Sequence, residues 1–177
     1  MEIPTLIADS IRRSAAEVFS TMLGVELEPG EVVNDPALPE PAEGVVSFIG
    51  LAGAWVGTGT ILCSPALACR ICSQMLMTES KSVDEEVLDA IGELTNMIIG
   101  SVKNDLEQHL GQLGLSIPTV IFAHNFKTKS TGHAEWVVER FRWDGEHFLV
   151  KVCLTRNEKP PTGPHVIGQS CPVDLKV

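Results

Sequence analysis

The stretch "LDAIGELTNMIIGSVKND", residues 88–105, has the period of a long amphipathic helix but carries strongly polar side chains on one side. With about 100° between successive residues, Asp89, Glu93, Asn96 and Gly100 fall within a sector of roughly 60°. The apolar residues on the opposite side are Val87, Ile91, Leu94, Ile98 and Val102. The pattern therefore predicts a helix that packs on a core and turns a polar stripe, Asp89, Glu93, Asn96 and Gly100, away from it.

The polar stripe contains two residues that a merely solvated helix face does not need. Asparagine is a weak helix former, and Gly100 costs about 1 kcal/mol relative to alanine in a helix interior. A glycine at that place would let the backbone of a partner come close. The amide of Asn96 can both donate and accept hydrogen bonds and so orient a water molecule, while the Glu93 carboxylate can hold a lysine. The stripe has no nucleophile, so it is too sparse for a self-contained hydrolase. It is suited to a protein that acts on the reactive centre of a partner.

Composition indicates one compact domain. The chain has 177 residues, 44% of them hydrophobic and 20% charged, which is typical of a soluble globular protein. We predict a single domain over residues 1–157. Residues 158–177, rich in proline and glycine and without a period, are predicted to form a C-terminal tail.

Charge and hydropathy exclude several classes of partner. The formal net charge is -10 and Lys and Arg form no cluster, so nucleic acid and acidic membrane surfaces are not expected as partners. No apolar run approaches the roughly 20 residues of a spanning helix. The N-terminus does not have the pattern of a secretory signal. These features predict a cytoplasmic protein.

The five cysteines are odd in number and lie mostly in apolar stretches, which indicates reduced, buried thiols. Residues 69–72, "CRIC", have the C-x-x-C spacing of zinc and redox sites. No second pair and no pair of histidines completes a metal tetrahedron. We therefore interpret Cys69 and Cys72 as packed helix residues and expect no metal site.

Apolar periodicity and turn signals predict three helices and five strands. The predicted helices cover residues 3–24, 64–77 and 82–113, and the predicted strands form a hairpin within 45–63 and cover 119–126, 135–143 and 147–155, with at most one further short strand near Val32. Ser82 is predicted to cap the third helix, with Glu85 completing a capping box. The Asp-Gly pair in "WDGEH", residues 143–147, predicts a tight hairpin turn.

The order of elements predicts an α+β fold with helices layered on a mainly antiparallel sheet. An internal repeat is also visible. Residues 13–24, "RSAAEVFSTMLG", align without gaps to residues 89–100, "DAIGELTNMIIG". The alignment places Glu17 at the position of Glu93 and Ser20 at that of Asn96. It predicts two duplicated helix-plus-hairpin units.

The spacing D-x-x-x-E-x-x-N followed by a distant proline is present as Asp89, Glu93, Asn96 and Pro118. It resembles the signature of the CheC/CheX/FliY phosphatases of bacterial chemotaxis. The segment "SFIGLAGAWVGTGTILCSPALACRICSQML", residues 47–76, is similar to the glycine-turned hairpin and the following helix of that family. The resemblance covers about residues 3–155 and implies the family's fold.

The resemblance also implies an activity, the hydrolysis of the aspartyl phosphate of a phosphorylated CheY-like response regulator. Asn96 would orient water against the phosphoryl group, and Glu93 would contact the regulator's lysine. Asp89, Gly100 and Pro118 would have supporting or partner-binding roles. Magnesium would belong to the regulator, so the protein would need no cofactor of its own. Because Ser20 replaces the second amide, the chain resembles CheX-like members, which have one site per subunit and form homodimers.

Two other functions remain open at this point. A non-catalytic regulator-binding module or motor-switch scaffold could use the same stripe without hydrolysis. A self-contained metallohydrolase is disfavoured because metal ligands at suitable spacing are missing.

Overall fold

The computed structural model describes residues 2–29, 43–124 and 135–158, and in this part of the chain three α-helices pack with one seven-stranded sheet. The helices are α1 (Ile3–Val18), which continues into a π-helical turn (Phe19–Leu23), α2 (Pro65–Leu76) and α3 (Glu85–Leu110). The strands are β1 (Glu28–Pro29), β2 (Glu43–Gly53), β3 (Trp55–Cys63), β4 (Leu113–Leu115), β5 (Thr119–His124), β6 (Trp136–Trp143) and β7 (Glu146–Arg156). The predicted α+β class is confirmed.

Strand order shows that the fold is an internal duplication. The sheet runs β1-β6-β7-β3-β2, with β5 and β4 both pairing with β2, and all of these pairs are antiparallel. One unit is α1-β1-β2-β3 and the other is α3-β5-β6-β7. Exchanging the two units turns the order β5-β2-β3-β7-β6-β1 into its reverse, which is the same sheet counted from its other edge. Each edge strand pairs with the hairpin of the other unit. The predicted duplication is confirmed and extends to the whole sheet.

The two long helices lie side by side and antiparallel. Ser10 of α1 donates to Asp105 at 2.9 Å, and Ser14, one turn later in α1, donates to Ser101, one turn earlier in α3, at 3.1 Å. Both helices contribute to one hydrophobic core together with the sheet. All five apolar residues predicted to line the buried side of α3 are fully buried, namely Val87, Ile91, Leu94, Ile98 and Val102.

The beginning of α3 differs from the prediction. Its N-cap is Asp84, whose carboxylate accepts the Val87 N–H at 3.0 Å, so the predicted capping box of Ser82 and Glu85 is wrong. An aspartate is as good a cap as a serine and also places negative charge at the helix N-terminus. Ser82 and Asp84 are both good N-cap residues and lie only two positions apart, so the capping-box spacing from Ser82 to Glu85 could not identify the cap.

We expect Asp84→Ala to lower the free energy of unfolding by about 1 kcal/mol, because the orphan amide of Val87 loses its acceptor. Ser82→Ala, two residues earlier, should change it by less than about 0.5 kcal/mol. Urea unfolding of both variants measures the difference. Equal losses at the two positions would contradict the assignment of the cap.

The end of α3 also comes earlier than predicted, at Leu110 rather than Leu113. Gly111 has φ +86°, a value that favours glycine and stops the helix. Leu113–Leu115 then forms β4, which pairs with Leu51–Gly53 of β2. The prediction failed here because Leu106, Leu110 and Leu113 continue the helical spacing i, i+4, i+7 past the point where α3 ends.

Most other boundaries agree with the prediction. Gly24 closes the first helix in a left-handed conformation with φ +65°, and Ser64 caps α2 by accepting the Leu67 N–H at 3.1 Å. Asp144 and Gly145 form the tight β6–β7 turn with φ 49° and 80°. Among the described cysteines, Cys63, Cys69, Cys72 and Cys153 are free and buried. The predicted short strand near Val32, the end of the 119–126 strand and tail residues 159–177 lie outside the described residues.

Candidate functional site

The structure places the polar stripe on the outer side of α3. Asp89, Glu93 and Asn96 are exposed, and Gly100 is partly buried. The opposite side of the same two turns is anchored by Leu94 and Ile98, both fully buried. The predicted orientation of this helix is therefore confirmed.

Two glycines allow α3 to lie close to the sheet and fix its rotation. A Cβ added to Gly59 of β3 would lie 2.8 Å from Cγ2 of Ile99, which is closer than real Cβ contacts. A Cβ added to Gly92 of α3 would lie 3.3 Å from Cγ2 of Val120 in β5. A helix held at these two places has little freedom to roll, so the direction of its exposed side is fixed.

The three side chains of the stripe have no polar partner among the described residues. Within residues 2–29, 43–124 and 135–158, Asp89, Glu93 and Asn96 make no side-chain hydrogen bond or ion pair. In contrast, Asp105 on the same helix accepts hydrogen bonds from Ser10 and Arg13 of α1. The carboxylates and the amide of the stripe are thus available to an incoming partner.

A groove of about 310 Å³ runs beside Asn96 between α3 and β4. Its walls are Asn96, Gly100, Lys103 and Asn104 on the helix and residues 113–115 on the strand. The missing side chain of Gly100 contributes to this opening, because an added Cβ would lie 3.8 Å from Cδ1 of Leu115, an ordinary contact distance. This groove was not predicted from the sequence, because Leu113 was assigned to the helix; the alternation of Leu113 and Leu115 was the one signal for β4.

The strand side of this groove is held by Glu107. Its carboxylate accepts the Leu113 N–H at 2.8 Å and contacts Nζ of Lys103 at 2.9 Å. The hydrogen bond from Leu113, followed by that from Lys103, lowers the pKa of Glu107. The carboxylate therefore stays ionised at neutral pH and ties β4 to α3.

Pro118 lies outside α3, in the β4–β5 connection (residues 116–118), and is partly buried. This connection is bound to β2, because the Ser116 N–H donates to the Gly50 carbonyl at 2.9 Å and the Gly50 N–H donates to Oγ of Ser116 at 2.8 Å. Gly92 faces β5 and Gly100 faces β4, so the connection passes alongside the middle of the stripe. The fold thus brings Pro118 near the helix that carries Asn96.

The corresponding part of α1 has a different backbone as well as a different residue. Glu17 and Ser20 are exposed, as their counterparts on α3 are. Ser20, however, lies in the π-helical turn, and Gly24 is the left-handed cap where the helix ends. Asn96 and Gly100 lie inside a continuous α-helix. The arrangement on α3 is therefore not repeated on α1.

Other parts of the described chain offer less for chemistry. A larger hollow of about 590 Å³ lies near His109 and Leu110 and includes no residue of the polar stripe. Among the described residues, no three His, Cys, Asp or Glu side chains come together in a way that could hold a metal ion. No helix in the described ranges is long and apolar enough to cross a membrane.

Comparison with known proteins adds findings of three kinds, from a family model, from a named relative and from solved structures. The model of a family described as chemotaxis phosphatase CheX matches residues 45–142. A Thermotoga maritima protein named CheY-P phosphatase CheX is 32% identical over 128 residues, which are 71% of this chain and 81% of that protein. The crystal structure of a CheC-like superfamily protein from Shewanella sp. PV-4 has a TM-score of 0.75 at 27% identity, covering 88% of this chain and 99% of that one.

A second solved structure is a complex. It is the crystal structure of the CheX–CheY–BeF3–Mg²⁺ complex from Borrelia burgdorferi, and the similarity has a TM-score of 0.70 at 25% identity. It covers 82% of this chain and 96% of that chain.

Proposed function

Because this chain belongs to the chemotaxis phosphatase CheX family, we propose that it dephosphorylates a CheY-like response regulator as a protein aspartyl-phosphate phosphatase. The observation that carries the proposal is the exposed pair Glu93 and Asn96 on a helix whose rotation is fixed by the sheet. Neither side chain has a partner within the described part of the molecule. The pair is thus ready to enter the reactive centre of another protein.

Asn96 is assigned the positioning of water. Its amide oxygen accepts a hydrogen bond from a water molecule and aims that water's oxygen at phosphorus, opposite the aspartyl oxygen. The water oxygen bonds to phosphorus as the bond between phosphorus and the aspartate oxygen breaks, so a free carboxylate is released together with inorganic phosphate, which keeps the protons of the water. Holding water in line is an entropic contribution that needs no proton transfer from the asparagine itself. Magnesium bound by the regulator would offset the charge of the phosphoryl oxygens.

Glu93 is assigned a binding role, with its carboxylate forming a charged hydrogen bond to a lysine of the regulator. It lies on the same side of α3 as Asn96, about one turn earlier. Asp89 and Gly100 mark the two ends of the contacting stripe, and Pro118 supports the adjoining connection. These roles are the ones that the family resemblance implies, and they are supported by the exposure of Asp89, Glu93 and Asn96 and by the small size of Gly100.

The wider setting is proposed from the composition of the chain and from its family. We assign residues 1–157 to one catalytic domain and residues 158–177 to a tail, and we place the protein in the cytoplasm as a homodimer. One site per subunit is supported by Ser20, which has no amide and lies in a π-helical turn. No cofactor of its own is required by the mechanism.

Gly100→Ala separates a role in partner binding from a role in folding. The added methyl group meets Leu115 at ordinary contact distance, so the variant should gain about 0.5–1 kcal/mol in free energy of unfolding from helix propensity. The same methyl narrows the groove beside Asn96, and turnover of the regulator should fall. Thermal unfolding and phosphatase rates measure the two effects. A variant that is both more stable and fully active would remove Gly100 from the contact surface.

The function itself is tested by phosphate release from CheY-like regulators charged with acetyl phosphate. A phosphatase, added in catalytic amounts, shortens the lifetime of the phosphorylated regulator. A scaffold would bind the phosphorylated regulator in a pull-down and leave its lifetime unchanged. That second outcome would reject the proposal in favour of a non-catalytic module.

A further inference from the structure

The most exposed large apolar side chain near the polar stripe belongs to Ile117. It is 87% exposed, although isoleucine is among the residue types most often buried. It lies in the β4–β5 connection, between Ser116 and Pro118. A single exposed isoleucine is common on protein surfaces, so its meaning depends on what surrounds it.

The connection that carries Ile117 is held in one conformation. Ser116 exchanges two hydrogen bonds with Gly50 of β2, at 2.9 and 2.8 Å, and its Oγ also donates to the carbonyl of Ile117 at 3.0 Å. Pro118 fixes the following φ angle. A β-branched side chain on such a backbone has few conformations to lose on binding. Ile117 is therefore preorganised for contact with another surface.

The position of the connection relative to Asn96 follows from two contacts. Gly92 of α3 faces Val120 of β5, and Gly100 faces Leu115 of β4. Asn96 lies midway between these two glycines along α3 and on the same side of the helix. Residues 116–118 join β4 to β5 and therefore pass α3 at about the height of Asn96. The exposed isoleucine is consequently next to the amide assigned to catalysis.

The size of a protein interface indicates whether a partner bound at Asn96 also contacts Ile117. A standard interface takes about 800 Å² from each partner and a transient one up to about 600 Å², and the smaller value corresponds to a patch of roughly 14 Å radius. A helix with its side chains is about 10–12 Å wide, so a partner centred on Asn96 must reach beyond α3 on both sides. The β4–β5 connection is the neighbour of α3 on one of these sides. A protein whose contact surface is centred on Asn96 is therefore expected to reach the connection that carries Ile117.

We propose that Ile117 is an apolar anchor that binds the response regulator beside its phosphorylated aspartate. The inference rests on the proposed function for the identity of the partner and extends its contact surface from α3 to the β4–β5 connection. It requires an apolar patch on the regulator next to the phosphorylation site. Ile117 is a binding residue in this account, because it touches the partner and takes no part in the reaction.

Kinetics with a phosphorylated regulator test the anchor. Ile117→Ser should raise KM about tenfold, the loss of roughly two buried methylene groups, and leave kcat within about twofold. Ile117→Val, which keeps most of the apolar area, should stay within about threefold of the wild-type KM. Because the side chain is exposed, neither variant should change stability measurably. An unchanged KM in Ile117→Ser would overturn the proposal.

Two controls keep this test separate from that of the phosphatase activity. Met77 is 94% exposed and follows α2, so Met77→Ser removes an equally exposed apolar side chain outside the β4–β5 connection. It should leave KM unchanged, and a rise equal to that of Ile117→Ser would refute a specific anchor. Binding of a regulator charged with beryllium fluoride, a stand-in for the phosphoryl group, reports the affinity without turnover. Loss of that affinity in Ile117→Ser supports the anchor even for a non-catalytic protein, and unchanged affinity rejects it.

Discussion

Gly59→Ala is expected to lower the free energy of unfolding by about 2 kcal/mol, although it adds a single methyl group. The added Cβ would lie within 2.8–2.9 Å of three carbon atoms of Ile99, a fully buried residue of α3. Ile99 lies in a close-packed core, so relieving this contact requires either its side chain to leave its preferred position or α3 to shift away from β3. Denaturant unfolding measures the loss, and because α3 carries the polar stripe, phosphatase activity should fall as well.

A matched glycine and a compensating change make this expectation specific. Gly114 of β4 is also a strand glycine, but a Cβ added there would approach nothing closer than 3.5 Å, so Gly114→Ala should be nearly neutral. Ile99→Ala opens space opposite Gly59, and the double variant should lose at least about 1 kcal/mol less than the sum of the single losses. Additive losses, or an equal loss in Gly114→Ala, would contradict close packing of α3 on β3.

Much of this fold could be predicted from local patterns. The buried side of α3 follows from the helical period of its apolar residues, and the Asp144-Gly145 turn follows from a dipeptide that tolerates positive φ. The duplication was visible as a short repeat around Glu17 and Glu93. These features depend on residues that are close in sequence, and so a single sequence contains them.

Features that depend on distant contacts could not be predicted in the same way. Leu113–Leu115 becomes a strand because β2 offers a free edge to pair with, and the sequence of β4 alone does not show this. The groove beside Asn96 exists because that strand lies against α3. The importance of Gly59 likewise depends on Ile99, forty positions later in the chain. The roles of Glu93, Asn96 and Pro118 remain predictions that kinetics must test.

Asn96→Ala is expected to reduce the rate of regulator dephosphorylation by at least about 100-fold, the usual cost of removing one group that is positioned for the transition state. The side chain is exposed and makes no hydrogen bond within the described ranges, so the free energy of unfolding should change by less than about 0.5 kcal/mol. Asn104 is an exposed asparagine about two turns further along α3 and lines the same groove. Asn104→Ala should retain most of the activity. A comparable loss at both positions would indicate damage to the helix rather than removal of a catalytic amide.

The assignment of Asn96 as the group that positions water is tested most directly by one single-turnover measurement. A phosphorylated CheY-like regulator is mixed with saturating wild-type protein or Asn96→Ala, and the first-order release of inorganic phosphate is followed. We predict fast release with the wild type, and with Asn96→Ala a rate close to that of the regulator alone, while both proteins bind it with similar affinity. Equal release rates for the two saturated complexes would contradict the assignment.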